Sequence, residues 1–151
     1  MNEAGNQVKK RICRIGDRAS MVKTFTIEDI KSFAELTMDF NGMHMDDELS
    51  KRGLFRIPVV HGVFVGSLIS SVMGMELPGH GTILQSQDIQ YLQPVYPGDT
   101  VTAEVVLAEI EEHDKFYVAT LEGICHNQDG ITVVKAVSKE LMLKRLFEVI
   151  K

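Results

Sequence analysis

Apolar residues follow three different spacings along the chain, and each spacing predicts a different element. Between residues 26 and 39 the positions expected to be buried follow the i, i+3, i+4, i+7 spacing of one helix face, at Ile30, Phe33, Ala34 and Thr37. Thr26 can cap this helix, with Asp29 in the place usually taken by glutamate or glutamine in a capping box. The pattern predicts an amphipathic helix that ends near Met38 or Asp39.

The second stretch, residues 58–74, is apolar on every side. Small residues allow another element to approach it closely, and these are Gly66, Ser67, Ser70 and Ser71. A helix without a polar face is buried all round, so this stretch predicts the central helix of the domain. His61 and Gly62 lie at its start, where backbone N–H groups lack partners within the helix and can bind an anion or a developing oxyanion.

From Thr82 onward the chain alternates between apolar and polar residues, which indicates β-structure. Strands are expected at 83–92, 101–107, 116–124 and 131–143. Short turns separate them, so we expect four consecutive strands in an antiparallel meander wrapped around the buried helix. A shorter strand and turn are expected within 11–23, after a polar N-terminal arm at 1–10. The patterns together predict a single α+β domain over residues 11–151.

Charge and composition narrow the range of partners. The chain has 151 residues, a net charge of −5 and a pI near 5.5, which argues against binding to nucleic acid. The longest apolar run, residues 58–78, is interrupted by His61, Gly66 and Glu76 and does not predict a membrane span. The two cysteines, Cys13 and Cys125, lack the spacing of zinc ligands. We expect free buried thiols, a cytoplasmic protein and no bound metal.

The candidate chemistry lies just after the first predicted helix. Asp39 and His44 are five residues apart, and on a continuous helix they would diverge by roughly 140°. They can face a common point only if the chain leaves the helix between them, and Asn41-Gly42 permits this because both residues tolerate positive φ. The two side chains are either an acid/base pair or a structural hydrogen bond at the end of a helix.

Several motifs in this order resemble one enzyme family. Asp39-Phe40-Asn41-Gly42-Met43-His44, followed by Val60-His61-Gly62-Val63, is similar to the signature of the MaoC-like, (R)-specific enoyl-thioester hydratases. Agreement continues over roughly residues 15–143, at Ile15–Ala19, Phe33–Thr37, Leu77–Gly79 and Pro94–Asp99. Gly42 is a departure, because the family commonly has proline there.

The resemblance implies a hot-dog fold, in which an antiparallel sheet wraps one long central helix, here residues 62–74. It also implies a homodimer or a higher homo-oligomer. Asp39 and His44 match the catalytic pair of the family, and Gly62 matches the residue whose backbone N–H binds the thioester carbonyl. Further contacts to substrate are expected from Ser70, Asn41, Met43 and His61, although His61 alone indicates a structural hydrogen bond at the helix start.

The resemblance implies hydration of a trans-2-enoyl thioester to the (R)-3-hydroxyacyl thioester, or the reverse dehydration, without a cofactor. Two alternatives stay open: a hot-dog thioesterase, which needs a carboxylate placed for hydrolysis, and a non-catalytic acyl-thioester binder that acts as a partner subunit. The sequence leaves the thioester carrier undetermined between coenzyme A and acyl carrier protein.

Overall fold

The computed structural model describes residues 9–55 and 57–151, so the arm expected at residues 1–10 lies almost wholly outside the described residues. Within the described residues the helices are α1 (Ile27–Thr37), α2 (Gly42–Met45), α3 (Asp47–Arg52) and α4 (Gly62–Met75). The strands are β1 (Arg11–Arg14), β2 (Arg18–Thr24), β3 (Ile83–Tyr91), β4 (Thr100–Glu112), β5 (Phe116–His126), β6 (Thr132–Leu143) and β7 (Phe147–Ile150).

Five strands form one antiparallel sheet in the order β2-β4-β5-β6-β3. The expected meander is therefore confirmed for β4, β5 and β6 but is wrong for β3, which pairs with β6 instead of with β4. The turn at Tyr96–Asp99 exists, with Gly98 at φ 94°, yet it does not close a hairpin. Val95 O instead accepts a hydrogen bond from Val60 N, so the segment that follows β3 passes the start of α4. The next strand, β4, then lies between β2 and β5, away from β3.

Helix α4 packs on the inner face of the sheet and supplies much of the core, through Val65, Ile69, Val72 and Met73. Gly123 of β5 allows close approach, because a Cβ there would lie 2.7 Å from Ile69 Cγ2. This arrangement confirms the expected hot-dog architecture. The expectation of burial all round is wrong for one stripe, since Val63 is 67% exposed and Ser67 and Ser71 follow it at helical spacing. The sheet packs against α4, and Phe33 of α1 stacks on Phe64, but this stripe is exposed.

A second, two-stranded sheet pairs β1 with β7 in parallel. The strand and turn expected within 11–23 are confirmed by β1 and β2, whereas β7 was not anticipated from the sequence. Both cysteines are free and buried, as expected. Burial raises the pKa of Cys125 to about 12, so this thiol stays protonated at neutral pH.

Candidate active site

The end of α1 places Asp39. The helix begins at the expected capping box, in which Thr26 and Asp29 each accept a backbone hydrogen bond from the other. It ends at Met38, whose φ of 63° turns the chain back. The Asp39 carboxylate then accepts a hydrogen bond from Asn41 N at 3.2 Å, which closes a tight turn.

The helix break itself differs from the expectation. Asn41 has φ −53°, and Gly42 is not among the residues with positive φ, so the left-handed residue is Met38. Asn41 acts differently: its side-chain oxygen accepts a hydrogen bond from Met43 N at 3.0 Å and caps the single turn α2. That turn carries His44 back toward Asp39, so the expected convergence occurs by another route.

A backbone carbonyl fixes the His44 ring. His44 Nδ1 lies 2.7 Å from Val59 O, and Val59 N donates to Met43 O. Two hydrogen bonds therefore join α2 to Val59, in the segment before α4. A carbonyl oxygen can only accept, so Nδ1 carries the hydrogen and Nε2 of the neutral ring keeps its lone pair. The ring therefore presents a base at Nε2.

His61 lies beside this pair. It is the N-cap residue of α4 and is only 2% exposed. Its Nε2 lies 3.0 Å from the backbone oxygen of Asp39, and its ring stacks on the His44 ring with centroids 3.9 Å apart and planes 28° apart. His61 Nδ1 is buried and has no hydrogen-bond partner among the described residues.

One carboxylate oxygen of Asp39 and one ring nitrogen from each of His44 and His61 lie within 4.8 Å of one another. Within the described residues Asp39 and His44 share no direct hydrogen bond, and the spacing suits a bridging water. Two imidazoles and a carboxylate are also a donor set for a transition metal. Imidazole lone pairs lie in the ring plane, however, so two rings stacked at 28° present their nitrogens side by side, which suits a shared metal poorly.

Gly62 lies in the wall of a cavity of about 600 Å³ that also contains His44. Gly62 is the first residue of α4, so its N–H has no acceptor within the helix. A Cβ at this position would lie 3.0 Å from the Tyr91 ring, which packs directly against the backbone. Tyr91 also lines the cavity and was not identified from the sequence, because its direction depends on the pairing of β3 with β6.

The other expected contacts lie further from this cavity. Ser70 is half-buried on the same face of α4 as Gly62, two turns along, but is not part of the wall that contains His44. Asn41 caps α2, and the Met43 side chain packs near Gly53. Contacts of these residues to substrate stay predictions.

No helix in residues 9–55 and 57–151 is long and apolar enough to cross a membrane.

Comparison with known proteins defines the class. The fold is shared with the (R)-hydratase from A. caviae involved in PHA biosynthesis, with a TM-score of 0.78 and 36% identity over 85% of this chain and 96% of that one. In sequence, the chain is 36% identical to the (R)-specific enoyl-CoA hydratase of Aeromonas caviae, over 80% of this chain and 88% of that protein. It is 30% identical to a mitochondrial 3-hydroxyacyl-[acyl-carrier-protein] dehydratase of Arabidopsis thaliana, over 83% and 74%.

A family model described as a MaoC like domain matches residues 15–126. The chain therefore belongs to the MaoC-like family, as the motifs around Asp39 and His61 indicated.

Proposed function

We propose that this protein adds water to trans-2-enoyl thioesters to give (R)-3-hydroxyacyl thioesters, and catalyses the reverse dehydration, within fatty-acid metabolism. It is then a hydro-lyase, like the relatives named as hydratases and dehydratases. The observation that carries the proposal is the spacing at the site: a carboxylate and an imidazole within 4.8 Å, beside a cavity that is lined by His44 and Gly62.

In this mechanism Asp39 and His44 hold one water between them. His44 Nε2 has the lone pair that can accept a proton, because Nδ1 donates to Val59 O. As the water oxygen attacks C3, its proton passes to the pair, and a proton returns from the pair to C2 of the substrate. The net change is the addition of one water molecule across the double bond. General acid–base assistance of this kind contributes about 10²–10⁴-fold.

Attack at C3 moves negative charge onto the thioester oxygen. The N–H of Gly62 and the positive end of the α4 dipole would stabilise that charge. The first turn of α4 contains no acidic residue that would compete for these donors. The mechanism requires no cofactor.

The carrier and the assembly are less defined than the reaction. Relatives are named for both coenzyme A and acyl carrier protein substrates, so either carrier fits. A homodimer stays an expectation, supported by exposed apolar side chains near the site, at Leu36, Met38, Phe40 and Leu54. The cytoplasmic location expected from the sequence also stays a prediction.

The test measures loss of enoyl absorbance with crotonyl-CoA and with crotonyl acyl carrier protein. We expect wild-type turnover with one or both carriers, and a fall in kcat of about 10²–10⁴-fold for Asp39→Asn and for His44→Ala. Matched controls are Asp47→Asn and His80→Ala, which change exposed residues outside the cavity and should retain wild-type rates.

Three results would contradict the proposal. Unchanged rates in both site variants would remove the pair from the mechanism. Release of free thiol without loss of the enoyl band would indicate a thioesterase. Saturable binding of the thioester without turnover would indicate a binding subunit.

A further inference from the structure

We propose that His61 is a positioning residue that holds the Asp39 backbone and the His44 ring in one reactive arrangement. The inference rests on the proposed hydratase function and assigns His61 a role distinct from substrate contact and from capping of the helix. This buried ring contacts both members of the pair.

The first contact ties His61 to the acid. A carbonyl oxygen only accepts hydrogen bonds, so His61 Nε2 donates to Asp39 O, at 3.0 Å across 22 positions of the chain. This bond joins the start of α4 to the turn that follows α1. The Asp39 side chain is exposed, so the position of its carboxylate depends on how firmly its backbone is held.

The second contact ties His61 to the base. The His44 ring is held at one end by Val59 O, and one of its faces lies against His61 at a centroid distance of 3.9 Å. Rotation of a histidine ring about χ2 has broad minima, so one hydrogen bond leaves the ring free to tilt. Stacking on a buried ring removes that freedom. Phe33, with its centroid 4.8 Å from that of His61, supports the His61 ring in turn.

Helix capping does not explain these contacts. His61 is the N-cap residue of α4, but its side chain makes no capping hydrogen bond within the described residues. Histidine is also not a favoured N-cap residue. The ring instead turns away from α4 toward Asp39 and leaves Nδ1 buried without a partner in the described part of the chain. The hydrogen bond and the stacking of this ring are therefore made to Asp39 and His44, not to the end of the helix.

Two variants separate the two contacts. His61→Phe keeps a ring that can stack on His44 but loses the donor to Asp39 O. His61→Gln keeps a donor near the position of Nε2 but loses the ring. His61→Ala loses both. Both larger variants preserve most of the side-chain volume, so each is expected to fold, and thermal unfolding measured alongside reports the folded fraction.

We expect kcat per folded enzyme to fall roughly tenfold or more in His61→Phe and in His61→Gln, with KM changed by less than about twofold, and to fall further in His61→Ala. The second readout is ¹⁵N NMR of the His44 ring, which does not require activity. Wild type should show the Nδ1–H tautomer, and His61→Gln should show a mixture of tautomers.

The outcomes separate this inference from the proposed function. If wild type hydrates crotonyl-CoA and His44→Ala is inactive, while both larger His61 variants keep wild-type kcat and His44 tautomer, only the positioning role is wrong. A higher KM at unchanged kcat would assign His61 to substrate contact instead. A loss of thermal stability alone, at constant kcat, would assign it a purely structural role. If wild type shows no hydration at all, the proposed function fails, whatever the NMR result.

Discussion

His61 at the start of α4 and Glu140 of β6 are both buried polar side chains, and the two have opposite surroundings. At the N-terminal end His61 is 2% exposed and lies with His44 and Asp39 near a cavity. Glu140 is also 2% exposed, and its Oε2 accepts a hydrogen bond from the Thr82 hydroxyl at 2.7 Å. Burial of a polar group is therefore not sufficient to mark a functional site.

The two surroundings differ in whether polar groups there have donor or acceptor atoms left to bind a substrate. At the N-terminal end neither the lone pair of His44 Nε2 nor the N–H of Gly62 has a hydrogen-bond partner among the described residues. Glu140 is enclosed between β3 and β5, opposite Leu84 and Ala119. Burial raises the pKa of Glu140, and the hydrogen bond from Thr82 only partly offsets this. We expect changes around His61 to alter rate and changes at Glu140 to alter stability.

Among changes at Gly62, Glu140 and Thr82, the one at Gly62 is expected to have the largest effect. Proline is tolerated at the first position of a helix but has no N–H, so Gly62→Pro removes the proposed oxyanion donor while α4 is retained. The preceding His61, at ψ 126°, already has the conformation that proline requires of its neighbour. We expect kcat to fall about 10²–10³-fold relative to Gly62→Ala.

Gly62→Ala is the matched control because it adds the same Cβ against Tyr91 and keeps the N–H. Hydration kinetics of the two variants, compared at equal folded fraction by circular dichroism, test the prediction. Equal rates would mean that this N–H takes no part in catalysis.

The next effect concerns the pH dependence of stability. The folded-state pKa of Glu140 is raised above its ordinary value of 4.5, so the folded protein retains a proton that the unfolded chain releases between the two values. Wild-type stability should therefore decrease as pH rises through that window. Glu140→Gln can still accept from Thr82 and carries no charge, so its Tm should exceed that of wild type by a few degrees at pH 8 and by little below pH 4.5.

Thermal unfolding from pH 4 to 9 measures this difference. Glu122→Gln, an exposed change on the neighbouring strand β5, is the control and should show no such trend. A Tm difference that is constant across the pH range would contradict the assignment of a buried, costly carboxyl. A lower hydration rate in Glu140→Gln would contradict the expectation that changes at Glu140 alter stability and not rate.

The smallest effect is expected at Thr82. Thr82→Val preserves shape but removes the hydroxyl that donates to Glu140, and should lower the free energy of unfolding by about 0.5–1.5 kcal/mol. Urea denaturation measures the loss, with Thr120→Val as control because the Thr120 hydroxyl makes no hydrogen bond within the described residues. In a Glu140→Leu background, which has no acceptor for the hydroxyl, the loss should be smaller, and an undiminished loss would show that the two side chains are not coupled.

Local patterns were sufficient for much of this molecule. The capping box at Thr26 and Asp29 and the extent of α4 depend on neighbouring residues, and both were predictable from spacing and residue type. The pairing of Asp39 with His44 was also predictable in outline, because the two residues lie within one short turn. The residue that makes the turn was not, since nothing in a methionine side chain marks Met38 for positive φ.

The tertiary structure decided everything that depends on contacts between distant segments. The edge position of β3, and with it the packing of Tyr91 on Gly62, follows from pairing with β6 some fifty residues away. The bond from His61 to Asp39 and the enclosure of Glu140 arise in the same way. Periodicity along a sequence shows which face of an element is apolar, but it does not show which other element will cover that face. The chemical groups of the site were visible in the sequence, whereas their support by His61 and Tyr91 appears only when the chain is folded.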